Sequence, residues 1–407
     1  MKKIIIIGGG AAGLLAAGRA AECGAKVVLL ERNSSLGRKL NITGKGRCNL
    51  TNTADLDEFV KAFGANGKFL YGAFSRFSNK DLMSLIERLN VPLKTERGGR
   101  VFPQSDIAED VTKALEKWAR KAGVDIRTGT LVKNLAVEDG VIQGVVVFSG
   151  VIKADAVILA TGGISYPKTG STGDGYRMAA EVGHTVIKPT PSLSALVVNE
   201  PWISELQGLS LRKVSATLYA NGKKVGHEFG EMLFTHFGVS GPIILTLSKV
   251  YAALGAKSDI RLSINLKPAL NQEQLDARLI SDFAQTKQIK NYMPELVPKA
   301  LISPILRLAG INPDTPLNSV SSTSRKGIIK LLVDFPLTIK CARSVDEAIV
   351  TAGGVSIKEI DPRTMESKLI QGLYFAGEVI DIDAVTGGFN LQAAFSTGWV
   401  AGESASE

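Results

Sequence analysis

Six consecutive residues near the N-terminus carry the clearest chemical signal. Gly8, Gly10 and Gly13 stand in the spacing G-x-G-x-x-G, directly after the apolar run Ile4 to Ile7. The first glycine of such a set permits a tight turn. The second lets backbone approach a pyrophosphate, and the third lets a helix pack closely on a strand. A pyrophosphate placed there would meet free N–H groups and the positive end of a helix dipole. Glu31 ends the next apolar run, eighteen residues past Gly13. A carboxylate at that distance accepts hydrogen bonds from ribose hydroxyls and repels a 2′-phosphate. This is dinucleotide chemistry, and the spacing alone does not separate FAD from NAD.

Two further stretches bear on the choice. The segment Gly37 to Asn49 (GRKLNITGKGRCN) carries four cations, Arg38 and Lys39 first among them. Cations there can neutralise a pyrophosphate, and the glycines let backbone come close to a flat ring. Near the other end, Glu378 and Asp381 follow the apolar run Leu373 to Ala376, where an acid can hold a ribityl hydroxyl. Asp383 competes with Asp381 for that role. A helix predicted from about Asn390 would aim its N-terminus at a flavin pyrimidine ring, where negative charge develops on reduction. Candidates for proton transfer are few. His236 can titrate near neutral pH. Tyr166, just after Gly162-Gly163, can donate a proton or stack on a ligand. Cys48 is a candidate to face the ring, and Arg47 and Lys168 to bind a substrate carboxylate.

The elements that must position these residues are legible in outline. Residues 3–31 read as one βαβ unit, with good helix formers from Ala11 to Ala21. Residues 36–52 read as irregular and 55–123 as mostly helical. Strands are predicted over Asp125–Leu135, Val141–Phe148 and Ala156–Ala160, the last ending at Thr161-Gly162-Gly163. From about 193 to 270 short β-like runs alternate with turn signals, as in a small antiparallel sheet or barrel. Residues 271–333 turn helical and 334–370 β-like, before α/β texture returns. The expectation is an α/β Rossmann-like domain, discontinuous over 1–192 plus 345–407. A β-barrel-like substrate domain is expected over 193–270 plus 334–344, with a helical insert over 271–333.

Composition narrows the function classes. With 407 residues, 45% hydrophobic and 21% charged, the chain is globular with a large core. No apolar run reaches the ~20 residues of a membrane helix, and the first residues read as a buried strand rather than an export signal, so a cytoplasmic location is expected. Three cysteines without C-x-x-C and three scattered histidines give neither a disulfide framework nor a metal site. The net charge of +9 favours anionic ligands. No Lys/Arg block with interleaved aromatics occurs, so a small-molecule substrate is expected rather than nucleic acid.

Gly8 to Gly13, Gly37 to Asn52 (GRKLNITGKGRCNLTN), Ala160 to Tyr176, Leu233 to Pro242, Thr351 to Ser356 and Gly372 to Gln392 together resemble the bacterial BaiN/YhiN-like flavoprotein family, in the same order and over essentially the whole chain. The resemblance implies non-covalent FAD in the Rossmann-like domain. Carried over by position, it implies contacts from Ala12, Glu31, Arg38, Lys39, Asn49, Val132, Thr161, Glu378, Asp381, Asn390, Leu391 and Gln392, with Gly162 in the same strand-end motif. Val132 would present backbone to adenine. The resemblance leaves the substrate open. The leading expectation is a reductase that takes electrons from a transiently docked NAD(P)H and passes hydride through FAD to a conjugated C=C bond. An oxygen-using amine or amino-ketone oxidase is the alternative, and a flavin-binding RNA-modification or interaction protein a lesser one.

Overall fold

The run Lys3–Ile7 becomes the middle strand of a five-stranded parallel sheet, ordered Leu373–Phe375, Ala156–Leu159, Lys3–Ile7, Lys26–Leu30, Asp125–Arg127. Ile4, Ile5 and Ile6 are all fully buried. Consecutive burial of this kind means both faces of the strand are covered, which is why an unbroken apolar run and not an alternating one forms it. Each such isoleucine contributes about 1.5–3 kcal/mol by leaving water. The computed structural model describes residues 1–254 and 259–407. It divides into two compact units, Met1–Ser192 with Val345–Glu407, and Leu193–Ser344.

In the first unit, the helix Ala11–Glu22 packs on the helix Phe389–Ser406. Small residues make this possible. A Cβ at Gly398 would lie 2.3 Å from the Ala12 carbonyl oxygen, and one at Gly402 would lie 2.4 Å from that of Ala16. The two backbones therefore touch, and the first and last helices of the chain form one layer. Two local readings change. Residues 38–46 are helical as far as Ile42, then break at Thr43 (ψ 149°), Gly44 and Lys45 (φ 58° and 61°). The helix-forming start was masked by the glycines and asparagines around it. Within the stretch read as mostly helical, Leu93–Glu96 and Arg100–Pro103 form an antiparallel hairpin. Gly98 and Gly99, both with positive φ, supply its turn.

The second unit holds a closed barrel of six strands, ordered Leu196–Val198, Gly238–Ser240, Lys223–Thr235, Ser210–Ala220, Ile260–Asn265, Phe335–Ala342. Leu196–Val198 pairs with Phe335–Ala342 and closes it. Ala216, Leu218, Phe234, Leu262, Ile264 and Leu337 are fully buried in its core. The helices Gln272–Asp282, Lys299–Leu308 and Ser322–Val333 add Leu279, Ile305 and Leu332 to the same core. This is a Rossmann-like fold with an inserted barrel and helical segment. No helix among the described residues is long and apolar enough to cross a membrane.

Candidate functional site

The residues singled out in the first unit gather at the carboxyl ends of parallel strands, where open α/β sheets place ligands. Gly8 follows Lys3–Ile7, Glu31 follows Lys26–Leu30, Thr161 comes after Ala156–Leu159, and Gly377 comes after Leu373–Phe375. The glycine spacing works as the chemistry requires. A Cβ at Gly13 would sit 1.9 Å from the Gly8 carbonyl oxygen, so only glycine fits. At Gly10 a Cβ would meet nothing within 4 Å. The helix that starts there has no side-chain cap and no acid in its first turn. An uncapped helix start beside open space is an anion site, and it fits the pyrophosphate of FAD.

Glu31 is only 8% exposed. One of its oxygens accepts from the Gly9 N–H at 2.8 Å; the other accepts from the Asn33 N–H at 2.8 Å and from Asn33 Nδ2 at 2.7 Å. A carboxylate offers about four acceptor positions, so capacity remains for a ribose hydroxyl. Arg38 donates to Asn33 Oδ1 at 2.8 Å. The same asparagine thus fixes both the acid and a nearby cation.

The C-terminal half closes on the same place. Ala12 is the neighbour of Gly377, where a Cβ would lie 2.9 Å from that of Ala12. Glu378 is held on both oxygens, one by Lys39 Nζ at 2.5 Å and the other by the Thr351 N–H at 2.8 Å. Thr351 is fully buried, and its Oγ1 accepts from the Ile164 and Ser165 N–H groups at 3.0 and 3.2 Å. One knot therefore ties Lys39, Glu378 and the turn after Thr161-Gly162. The Tyr176 hydroxyl donates to the Glu378 carbonyl at 3.2 Å. Burial, and then the charges of Glu378 and Asp381, push the Tyr176 phenol up, so it stays protonated. Asn66 Nδ2 donates to the Asp381 carbonyl at 2.8 Å, and Ser192 Oγ donates to Asp383 at 2.7 Å.

Side chains at the start of the last helix hold it in place. The Asn49 amide, oriented to satisfy both neighbours, accepts from the Gly388 N–H at 3.0 Å and donates to the Thr51 carbonyl at 3.2 Å. Asn390 accepts from the Ala384 N–H at 2.8 Å. Gln392 is fully buried; it accepts from Thr51 Oγ1 at 2.6 Å and donates to Ser396 Oγ at 3.0 Å. Leu391 sits half-buried in the first turn. The helix begins at Phe389, without a side-chain cap and without an acid in its first turn, so no carboxylate of its own meets the positive end of its dipole.

The remaining candidates are dispersed. Cys48 is fully buried, and burial pushes its thiol up to about 12, which makes it a neutral packing group near pH 7. Val132 is 3% exposed and pairs with Val147. Thr161 Oγ1 is buried without a hydrogen-bond partner. Tyr166 is half-buried with a left-handed φ of 53°, its N–H donating to the Asp346 carbonyl at 3.2 Å. Arg47 makes a bidentate pair with Glu96 at 2.9 and 3.0 Å, which holds Glu96 below the usual carboxylate range. Lys168 is exposed. His236 belongs to the barrel unit, exposed on the turn between Thr235 and Gly238, its ring 4.9 Å from that of Phe237. Sequence reasoning had not singled out Asn33, Asn66 and Tyr176 as site residues, nor assigned Thr351 a role. Asn33 carries a usable signal, a side-chain amide two residues past the ribose acid.

Comparison with known proteins gives this geometry a context. The profile described as "HI0933-like protein Rossmann domain" matches residues 2–404. A 3-dehydro-bile acid delta(4,6)-reductase of Clostridium scindens is 33% identical over 416 aligned positions, covering 100% of both chains. A ribosomal RNA dihydrouridine synthase of Escherichia coli is 31% identical, covering 97% of this chain and 96% of its own. The crystal structure of a 3-ketosteroid-delta4-(5alpha)-dehydrogenase from Rhodococcus jostii superposes with a TM-score of 0.56, covering 100% of this chain and 97% of that one. At 16% identity, that likeness concerns the fold alone.

Proposed function

The chain belongs to the HI0933-like family and is an FAD-dependent oxidoreductase; from that premise we propose that it reduces a carbon–carbon double bond conjugated to a carbonyl, with NAD(P)H as electron donor. One observation carries the reading. The chain aligns end to end with two enzymes whose names share this chemistry. The first is a delta(4,6)-reductase of a 3-dehydro bile acid. The second makes dihydrouridine, the product of saturating the uridine double bond next to a carbonyl.

Bound FAD supplies hydride transfer. The chain's own residues bind and orient it: Glu31 for the ribose, the uncapped start of Ala11–Glu22 with Arg38 and Lys39 for the pyrophosphate, and the open start of Phe389–Ser406 for the ring. Saturating a conjugated bond also needs a proton. Tyr166 is our first candidate, because it stands in the turn that follows Thr161-Gly162-Gly163 at the end of Ala156–Leu159. His236 is the second. Tyr166→Phe and His236→Gln, compared by pH–rate profile, separate the two.

The deciding experiment is anaerobic stopped-flow spectroscopy of the yellow protein. NADH or NADPH is expected to bleach the flavin absorbance, and a conjugated enone to restore it faster than oxygen does. Bleaching only by an amine, with rapid peroxide formation on admitting air, would sink the reading in favour of an oxidase.

A further inference from the structure

A cleft of about 620 Å³ opens on the nucleotide unit. Four helices build it. Ala11–Glu22 supplies Arg19, Asn79–Arg88 supplies Ser84 and Arg88, Ala108–Lys121 supplies Trp118, and Phe389–Ser406 supplies Trp399. Arg19 stands six residues past Gly13, and Trp399 ten past Phe389. At ~1.5 Å per residue they lie about 9 and 15 Å along their helices from the ends assigned to the cofactor. The cleft is therefore a place apart from the cradle. Its volume falls within the roughly 300–1,000 Å³ of small-molecule sites.

The floor is apolar and largely aromatic. Trp399 stacks on Phe77, with ring centroids 4.3 Å apart and planes 13° from parallel. Trp118 and Leu85 line the same cleft and are 8% and 5% exposed. Trp399 itself is half-buried.

The acids of the cleft are engaged already. Glu22 accepts from Trp118 Nε1 at 2.8 Å. Asp81 accepts from the Ser78 N–H at 2.8 Å and from Ser78 Oγ at 2.6 Å. Glu403 is bonded to both Arg19 and Arg76. The donors are not matched in the same way. Arg88 is exposed and, among the described residues, pairs with no acid. Arg19 Nε is buried without a hydrogen-bond partner. A guanidinium carries five N–H donors and no acceptor. What this cleft lacks is an acceptor, and a carboxylate is the one that a free guanidinium holds by two parallel bonds.

We propose that the cleft is a second small-molecule site, separate from the flavin, that binds an aromatic carboxylate. The flat body lies against Trp118, Leu85 and Trp399, and the carboxylate meets Arg88. This assignment does not rest on the reductase reading.

The test is isothermal titration calorimetry of the full-length, flavin-loaded protein with 2-naphthoate. One equivalent is expected to bind with a Kd on the order of 100 µM, as suits a ligand of this size. 2-Naphthylmethylamine and 2-naphthalenemethanol present the same body without the negative charge, and should bind about tenfold more weakly or worse. Arg88→Ala should weaken naphthoate binding about tenfold. Ser84→Phe places a ring in the cleft from its exposed rim, clear of the core, and should abolish the binding heat. Retained flavin absorbance checks that each variant is folded. No saturable heat from the wild type up to about 5 mM naphthoate overturns the proposal. So does unchanged binding in Ser84→Phe, which would put the naphthoate elsewhere on the protein. Equal binding of the amine or the alcohol overturns it too, because the cleft would then select for apolar area and not for an anion.

Discussion

The two units place their polar residues in opposite ways. The nucleotide unit turns them inward. Glu31 is 8% exposed and holds three donors, and the Lys39 and Glu378 side chains are 22% and 19% exposed and hold each other. The barrel unit leaves the cations Arg212, Lys213, Lys223 and Lys224 exposed, and the polar side chains it buries are neutral serines, Ser194, Ser215, Ser248 and Ser263. A buried carboxylate that already holds three donors is fixed in position to within a hydrogen bond. Exposed cations fix nothing so finely, but they set up a potential felt over a Debye length. The same residue types thus stand buried and paired in one unit and exposed in the other.

Substitutions can break or sharpen this contrast. The largest effect is expected at Gly13→Ala, whose Cβ would sit 1.9 Å from the Gly8 carbonyl oxygen. The loop must move, at a cost of about 3 kcal/mol or more, and FAD should no longer co-purify. A yellow G13A protein would show that the cradle does not depend on this contact. Next is Glu378→Ala, which strands Lys39 and the Thr351 N–H. With both side chains about a fifth exposed, we expect about 2 kcal/mol from denaturant unfolding. The double variant with Lys39→Ala should cost less than the sum of the two single changes.

A smaller effect concerns pH. His184 is buried, with Nε2 2.8 Å from Ser367 Oγ and Nδ1 3.3 Å from a Glu359 oxygen. Burial depresses its pKa, opposed by Glu359. The unfolded chain therefore binds the proton more readily, and stability should fall as pH drops below the unfolded value of about 6.5. Above that value the contribution is constant. His184→Gln should flatten this part of the pH–stability curve; an unchanged curve would remove His184 from the account. The smallest effect is expected in the barrel, where Lys224→Ala should change unfolding by no more than about 0.5 kcal/mol. A loss several times larger would mean that this side chain is structural after all. Labelling adds a qualitative check: iodoacetamide at pH 8 should modify Cys23 and Cys341, both exposed, and spare Cys48.

What could be read in advance follows from distance along the chain. The Gly8–Gly13 loop, Glu31 and the α/β fold class rest on local spacing and period, and the sequence carries both. Family membership was legible from motif strings in order, and comparison bears it out. The knot of Lys39, Glu378 and Thr351 was not legible, because its members are 27 and 339 residues apart. Nor was the cleft of Arg88, Trp118 and Trp399. A search for cations and aromatics interleaved along the chain misses residues that meet only where helices pack.

The backbone contact of Gly398 and Gly402 with Ala12 and Ala16 also bears on how the protein is made. The N-terminal half of the cradle leaves the ribosome first. At about 5–20 residues per second, it waits some tens of seconds for the layer that completes it. During that interval Ile4 to Ile7 lack both the Leu373–Phe375 edge of their sheet and the helix that covers the first one. A cradle drawn from both elements, as proposed above, is complete only once Phe389–Ser406 has been made.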